Sequence, residues 1–111
     1  MVLIKAEYKN DKSQYMVFEA KLTSDDRLSA EHPIKGYALE WEQAASRNTR
    51  WPFIVSPDEG HIAFIEWTSS EQVTEINLMN RHISVGATFL RTDGLSGGKS
   101  EYEIVSIVKQ A

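Results

Sequence analysis

The chain has 111 residues, no cysteine, 12 Lys and Arg against 16 Asp and Glu, and 41% hydrophobic residues. That length allows one core and one domain over residues 1–111. The composition excludes a disordered chain, a disulfide scaffold, thiolate metal sites and a cysteine nucleophile. No apolar run approaches the roughly 20 residues of a membrane helix, so no membrane partner is expected.

The first segment alternates. Val2, Ile4, Ala6 and Tyr8 share one face, with Lys5, Glu7 and Lys9 on the other. Period-2 patterning marks a half-buried strand. These early charges also interrupt the apolar core that a secretory signal would need. Asn10-Asp11-Lys12-Ser13 is a turn cluster, and residues 14–22 read as a second strand of an antiparallel hairpin. Thr23 to Lys35 is polar, with a cap at Ser24-Asp25-Asp26 and a breaker at Pro33, and a single turn of helix is the most expected there.

From Gly36 the period changes. Tyr37, Trp41, Ala44 and Ala45 recur at helical spacing among Ala, Glu and Gln, which predicts a helix over about 37–48, stopped by Asn48 and Pro52. On that helix Glu40 and Glu42 would not share a face. Tyr37, Leu39 and Trp41 also alternate as a strand would, which is the rival reading.

Residues 51–55 read as a short strand, 56–60 as a turn, and 61–67 as a strand apolar on both faces and therefore central. Residues 72–79 form a less regular strand. Residues 81–92 form another, bent at Gly86 by a bulge or a close crossing. A glycine-rich loop over 93–100 leads to a closing strand over 101–109. The expected fold class is α+β: a strongly curved, mainly antiparallel sheet or partly closed β-barrel, with one helix covering a face or plugging an end.

Motifs for catalysis are weak. Gly94 to Ser100 ends in Gly-Lys-Ser, but Gly94 stands one position too close to Gly98 for a phosphate loop, and a strand follows where a helix is needed. A hairpin loop is the simpler reading. His32, His61 and His82 lack the spacing of metal ligands, and His61 and Glu66, five apart on a strand, face opposite sides. No Gly-x-Ser-x-Gly elbow occurs. The expectation is a protein without catalytic residues, metal or cofactor.

Arg47, Arg50 and Trp51 could stack on bases, or could close a helix end with Arg on the dipole and Trp51 on the core. A chain with formal charge −4 gains no counterion-release drive, which argues against nucleic acid as a partner. Of the three tryptophans, Trp67 is expected partly in the core, and Trp41 or Trp51 at least partly exposed as an interaction anchor.

Residues 1–55 carry 8 basic and 8 acidic side chains, whereas residues 56–111 carry 4 and 8. The second half therefore offers Asp58, Glu59, Glu66, Glu71, Glu75, Asp93, Glu101 and Glu103 to a basic protein partner. The segment Ile83-Ser84-Val85-Gly86-Ala87-Thr88-Phe89, the glycine-rich loop and the strand Tyr102-Glu103-Ile104-Val105-Ser106-Ile107 together resemble the closing hairpin of small bacterial immunity proteins, over residues 83–108. The resemblance implies a cytoplasmic, non-catalytic inhibitor of a basic toxin such as a nuclease, and carries no functional residues across. Two alternatives stay open: a small ligand-binding or enzymatic barrel with a pocket near His61, His82 and Arg50, and an RNA-binding barrel using Arg47, Arg50 and Trp51.

Overall fold

The computed structural model describes residues 1–94 and 97–110. The described residues are all β, in eight strands: β1 (Val2–Tyr8), β2 (Asp11–Ala20), β3 (Ile34–Glu42), β4 (Arg47–Pro57), β5 (Ala63–Trp67), β6 (Thr74–Ile76), β7 (Thr88–Asp93) and β8 (Gly98–Lys109). Each strand pairs antiparallel with the next, and β8 pairs with β1, so the sheet closes into an up-and-down barrel. Closure satisfies the backbone groups that an edge strand would leave open. No helix long and apolar enough to cross a membrane occurs among the described residues.

The helix expected over 37–48, and with it the α+β class, is overturned. Residues 34–42 and 47–57 form the β3–β4 hairpin, reversed through 43–46, where Ser46 takes a positive φ of 51° and its N–H donates to the Gln43 carbonyl at 3.3 Å. The rival alternation of Tyr37, Leu39 and Trp41 describes the segment. Helix propensity amounts to tenths of a kcal/mol per residue and loses to pairing along both edges of β3.

Further boundaries differ: β2 already begins at Asp11 inside the expected turn, β4 extends beyond 51–55, and β5 begins at Ala63. β6 covers only Thr74–Ile76 of the expected 72–79. The segment before Thr88 is a loop, in which Gly86 sits at φ 93° with nothing near the position of a Cβ. Gly86 therefore serves a backbone conformation and not a close crossing. The close crossing is at Gly36, where a Cβ would lie 1.8 Å from the Val17 carbonyl oxygen. No helical turn forms over 23–35, where a single Leu22–Leu28 bridge holds the loop. The expected loop at 93–100 is described only in part, since Leu95 and Ser96 lie outside the described residues.

Alternation sorts the interior. Val2, Ile4 and Ala6 of β1, Met16, Phe18 and Ala20 of β2, Ile34 and Ala38 of β3, Phe53 and Val55 of β4, and their counterparts on the remaining strands are buried. An eight-stranded barrel has an interior that side chains can just fill, and the mixture of Ala and Gly36 with Phe meets that limit. Phe18 packs on Phe53 at 5.4 Å and on Phe89 at 6.0 Å between ring centroids, and Phe53 packs edge-on to Trp67 at 5.5 Å. Phe89 stacks on Tyr102, which stacks on Tyr8, at 5.7 and 5.5 Å.

The two ends of the barrel differ. At the end carrying the loops 21–33, 58–62 and 77–87, buried Leu28, Leu78, Met79 and Ile83 join the core and seal the barrel. The Ile83 N–H donates to the Asp26 carbonyl at 2.7 Å, and the Met79 N–H to the His61 carbonyl at 3.0 Å. At the opposite end, no described residue of the connections 9–10, 43–46, 68–73 and 94–97 joins the buried core.

An aromatic and acidic cleft at the barrel mouth

The inward alternation continues past the apolar core toward the mouth. After Ile34, Gly36 and Ala38, the same face of β3 brings Glu40 and Glu42. After Phe89, β7 brings Arg91 and Asp93, and β5 ends on Trp67. Charged side chains thus occupy positions that the period reserves for the interior.

Arg91 is 4% exposed. A buried guanidinium is tolerated only when its charge is matched and its donors are bonded. Here Nη1 donates to Glu40 Oε1 and, at 3.3 Å, to the Tyr102 hydroxyl, while Nε donates to Asp93 Oδ1 at 3.0 Å. Burial works against the charge on Arg91, yet Glu40, Tyr102 and Asp93 hold its pKa above the ordinary value. Burial pushes the Tyr102 hydroxyl up, opposed by Arg91.

A relay extends the cluster. Trp67 Nε1 donates to Thr74 Oγ1 at 2.9 Å, and Thr74 Oγ1 donates to Asp93 Oδ1 at 3.0 Å. Gln72 Nε2 donates to the same Asp93 oxygen at 3.0 Å. The Arg91 guanidinium also lies 5.1 Å from the Trp67 ring centroid, within cation–π range. Trp67 is therefore fixed by a hydrogen bond at its edge, Arg91 on its face and Phe53 against its ring.

Above this floor opens a cleft of about 460 Å³, lined by Glu40, Trp41, Glu42, Gln43, Trp51, Trp67, Ser69, Ser70, Gln72 and Arg91. All three tryptophans of the chain line it. Trp41 at the hairpin tip is 54% exposed. Glu42 accepts from Thr49 Oγ1 at 2.7 Å through Oε2, and Glu40 meets Arg91 through Oε1. Among the described residues no protein donor reaches the second oxygen of either carboxylate. On a strand, two residues apart means the same face, so Glu40 and Glu42 act together, contrary to the helical expectation.

The other expected site residues lie apart. Asp58 and Glu59 are exposed in the turn at the sealed end, Glu71 is exposed in the mouth loop 68–73, and Asp93 belongs to the Arg91 cluster. Glu66, Glu75, Glu101 and Glu103 lie along the barrel wall, where Glu66 accepts from Ser56 Oγ at 2.8 Å and Glu101 pairs with Lys9 at 3.6 Å. The eight acidic residues do not converge on one face. Arg47 is exposed at the hairpin tip, and Arg50 lies 4.4 Å over the Tyr37 ring, while its neighbour Trp51 lines the cleft. His61 donates or accepts no bond toward the cleft: its Nδ1 meets the Met79 carbonyl at 2.8 Å at the sealed end, where His82 lies 3.6 Å from Asp26. His61, His82 and Arg50 are not among the lining residues of this cleft.

Sequence reasoning missed Glu40, Glu42, Thr74, Arg91 and Tyr102. The available signal was Phe89, Arg91 and Asp93 at alternate positions, which sets charge on a core face. No group of three or more His, Asp or Glu side chains able to hold a metal occurs among the described residues. The fold and cleft define an antiparallel eight-stranded barrel with one sealed and one open end. No protein-family model, curated protein or solved structure matches the chain.

Proposed function

We propose that the chain is a non-catalytic binding protein for a basic protein partner, an inhibitor of the bacterial immunity type that neutralises a toxin such as a nuclease in the cytoplasm. The observation that carries this reading is the cleft: three tryptophans around two carboxylates with unbonded oxygens, mounted on a closed frame. Aromatic anchors supply contact area at low entropic cost, and a frame already ordered loses little freedom on binding. The chain's formal charge of −4 speeds encounter with a basic protein, more so at low salt. The acidic residues along the wall and at the sealed end contribute to that long-range field, and the mouth makes the contact.

The test is capture of partners from a bacterial lysate by the purified chain at low and high salt. The wild type is compared with the double variant Trp41→Ala, Glu42→Gln and with Asp58→Lys, Glu59→Lys. A basic partner released by salt and lost with the mouth variant supports the reading. Capture that survives the mouth variant and fails with the sealed-end variant moves the interface to the other end. The cleft volume favours a second reading, a small-ligand site, because about 460 Å³ lies within the range of small-molecule pockets. A metabolite retained by the purified chain and displaced on mutation of Trp51 would support that alternative.

A further inference from the structure

We propose that the cleft receives the guanidinium of an arginine side chain presented by the partner, an inference that rests on the reading that the partner is basic. The first argument is charge. Among the described residues, Glu40 and Glu42 of the lining, with Asp93 bonded behind Arg91, are matched at the cleft by the one cation Arg91, a surplus of two negative charges. Arg47, the register partner of Glu42, makes no ion pair with it among the described residues. An anion would meet that surplus directly, whereas a cation relieves it.

The second argument is shape. Glu40 and Glu42 project from one face of β3 about 7 Å apart along the strand. Their second oxygens are available to a forked donor, which a guanidinium is and an ammonium is not. Indole faces beside them take a planar, weakly hydrated cation more readily than a strongly hydrated point charge.

The third argument is that the site already holds one such group. Arg91 lies over Trp67 and pairs with Glu40, so a guanidinium between indole and carboxylate is a stable arrangement in this environment. Arg91 Nη2 has no protein acceptor among the described residues and is not a buried unsatisfied atom, so on this cleft-lining side chain it remains open to an arriving group. That donor suits a backbone carbonyl of the arriving chain. The cleft is larger than one guanidinium, and Ser69, Ser70 and Gln72 at its rim offer further polar groups to the same backbone.

Since every tryptophan lines the cleft, intrinsic fluorescence reports on it directly. The full chain is titrated with acetyl-Gly-Arg-Gly-amide, the same peptide with lysine, with the neutral isostere citrulline, and with glutamate. A saturable change is expected with arginine, at least about tenfold weaker with citrulline, weaker with lysine and absent with glutamate. Glu42→Gln is expected to weaken the arginine response by about tenfold, the scale of one charge-assisted hydrogen bond, while its melting temperature confirms folding. Ile54→Thr, exposed on the outer face of β4 and outside the cleft lining, is expected to leave the response unchanged.

Equal responses to arginine and citrulline, a stronger response to glutamate, or no saturable response would overturn the assignment. A basic partner captured equally by wild type and Glu42→Gln would also overturn it while leaving the proposed function standing. An arginine response without any captured partner supports the cleft chemistry and counts against the partner.

Discussion

The sealed end and the mouth of this barrel solve the same problem in opposite ways. At the sealed end, Leu28, Leu78, Met79 and Ile83 fold in from connecting loops and exclude water with apolar area. At the mouth, no described residue of the connecting segments joins the buried core, and the inward positions carry Arg91, Asp93, Glu40 and Glu42 instead. Apolar burial is non-directional and tolerates small shifts. A buried ion cluster is tolerable only when its geometry is met, so it fixes the orientation of Trp67 and Glu40 at the cost of some stability. One end holds the barrel closed, and the other presents defined chemistry.

The largest test of that contrast is Arg91→Met. It leaves Glu40 and Asp93 facing each other without their cation, and should cost about 3–5 kcal/mol in denaturant unfolding. Leu78→Ala at the sealed end should cost about 2–5 kcal/mol by the cavity it leaves. It should leave the tryptophan spectrum and the arginine response intact. Were both variants to abolish that response while still folded, the two ends would not be independent. Gly86→Ala, in the loop crossing the sealed end, places an alanine at φ 93° with no steric obstacle. The cost should be about 1–2 kcal/mol of backbone strain, read as a modest drop in melting temperature.

The smallest effect concerns alkaline pH. Burial favours the neutral Tyr102 hydroxyl, so its folded pKa lies above the unfolded one. Its share of stability is full below the unfolded value of about 10 and is lost as pH rises through the folded value. Tyr102→Phe should therefore make the alkaline fall in stability shallower, as followed by unfolding between neutral and alkaline pH. An unchanged slope would mean that Tyr102 is not shielded by the Arg91 cluster.

Much of the barrel was legible. Val2, Ile4, Ala6 and Tyr8 mark the inner face of β1 in the sequence alone, because a half-buried strand writes its pleat into the sequence. Residues 37–48 misled for a physical reason: Ala44 and Ala45 belong to a turn, yet they complete a helical spacing begun by Tyr37 and Trp41 on a strand. That single misassignment also separated Glu40 from Glu42, and so hid half of the cleft. Arg91 was hidden differently. The alternation of Phe89, Arg91 and Asp93 is short, six residues of β7 after an irregular loop, and Asp93 by its type alone is one more acidic residue of the second half.

By itself the sequence determined a β-rich chain, cysteine-free and acidic in its second half, because composition and period-2 alternation are local properties. Closure of the sheet, the reversal at 43–46 and the meeting of residues 40, 67, 74, 91, 93 and 102 were decided only by tertiary structure. They depend on pairing between strands far apart in the chain, and on which inward positions lie beyond the reach of the apolar core. No local pattern encodes that depth, since a strand has the same period at the sealed end as at the mouth.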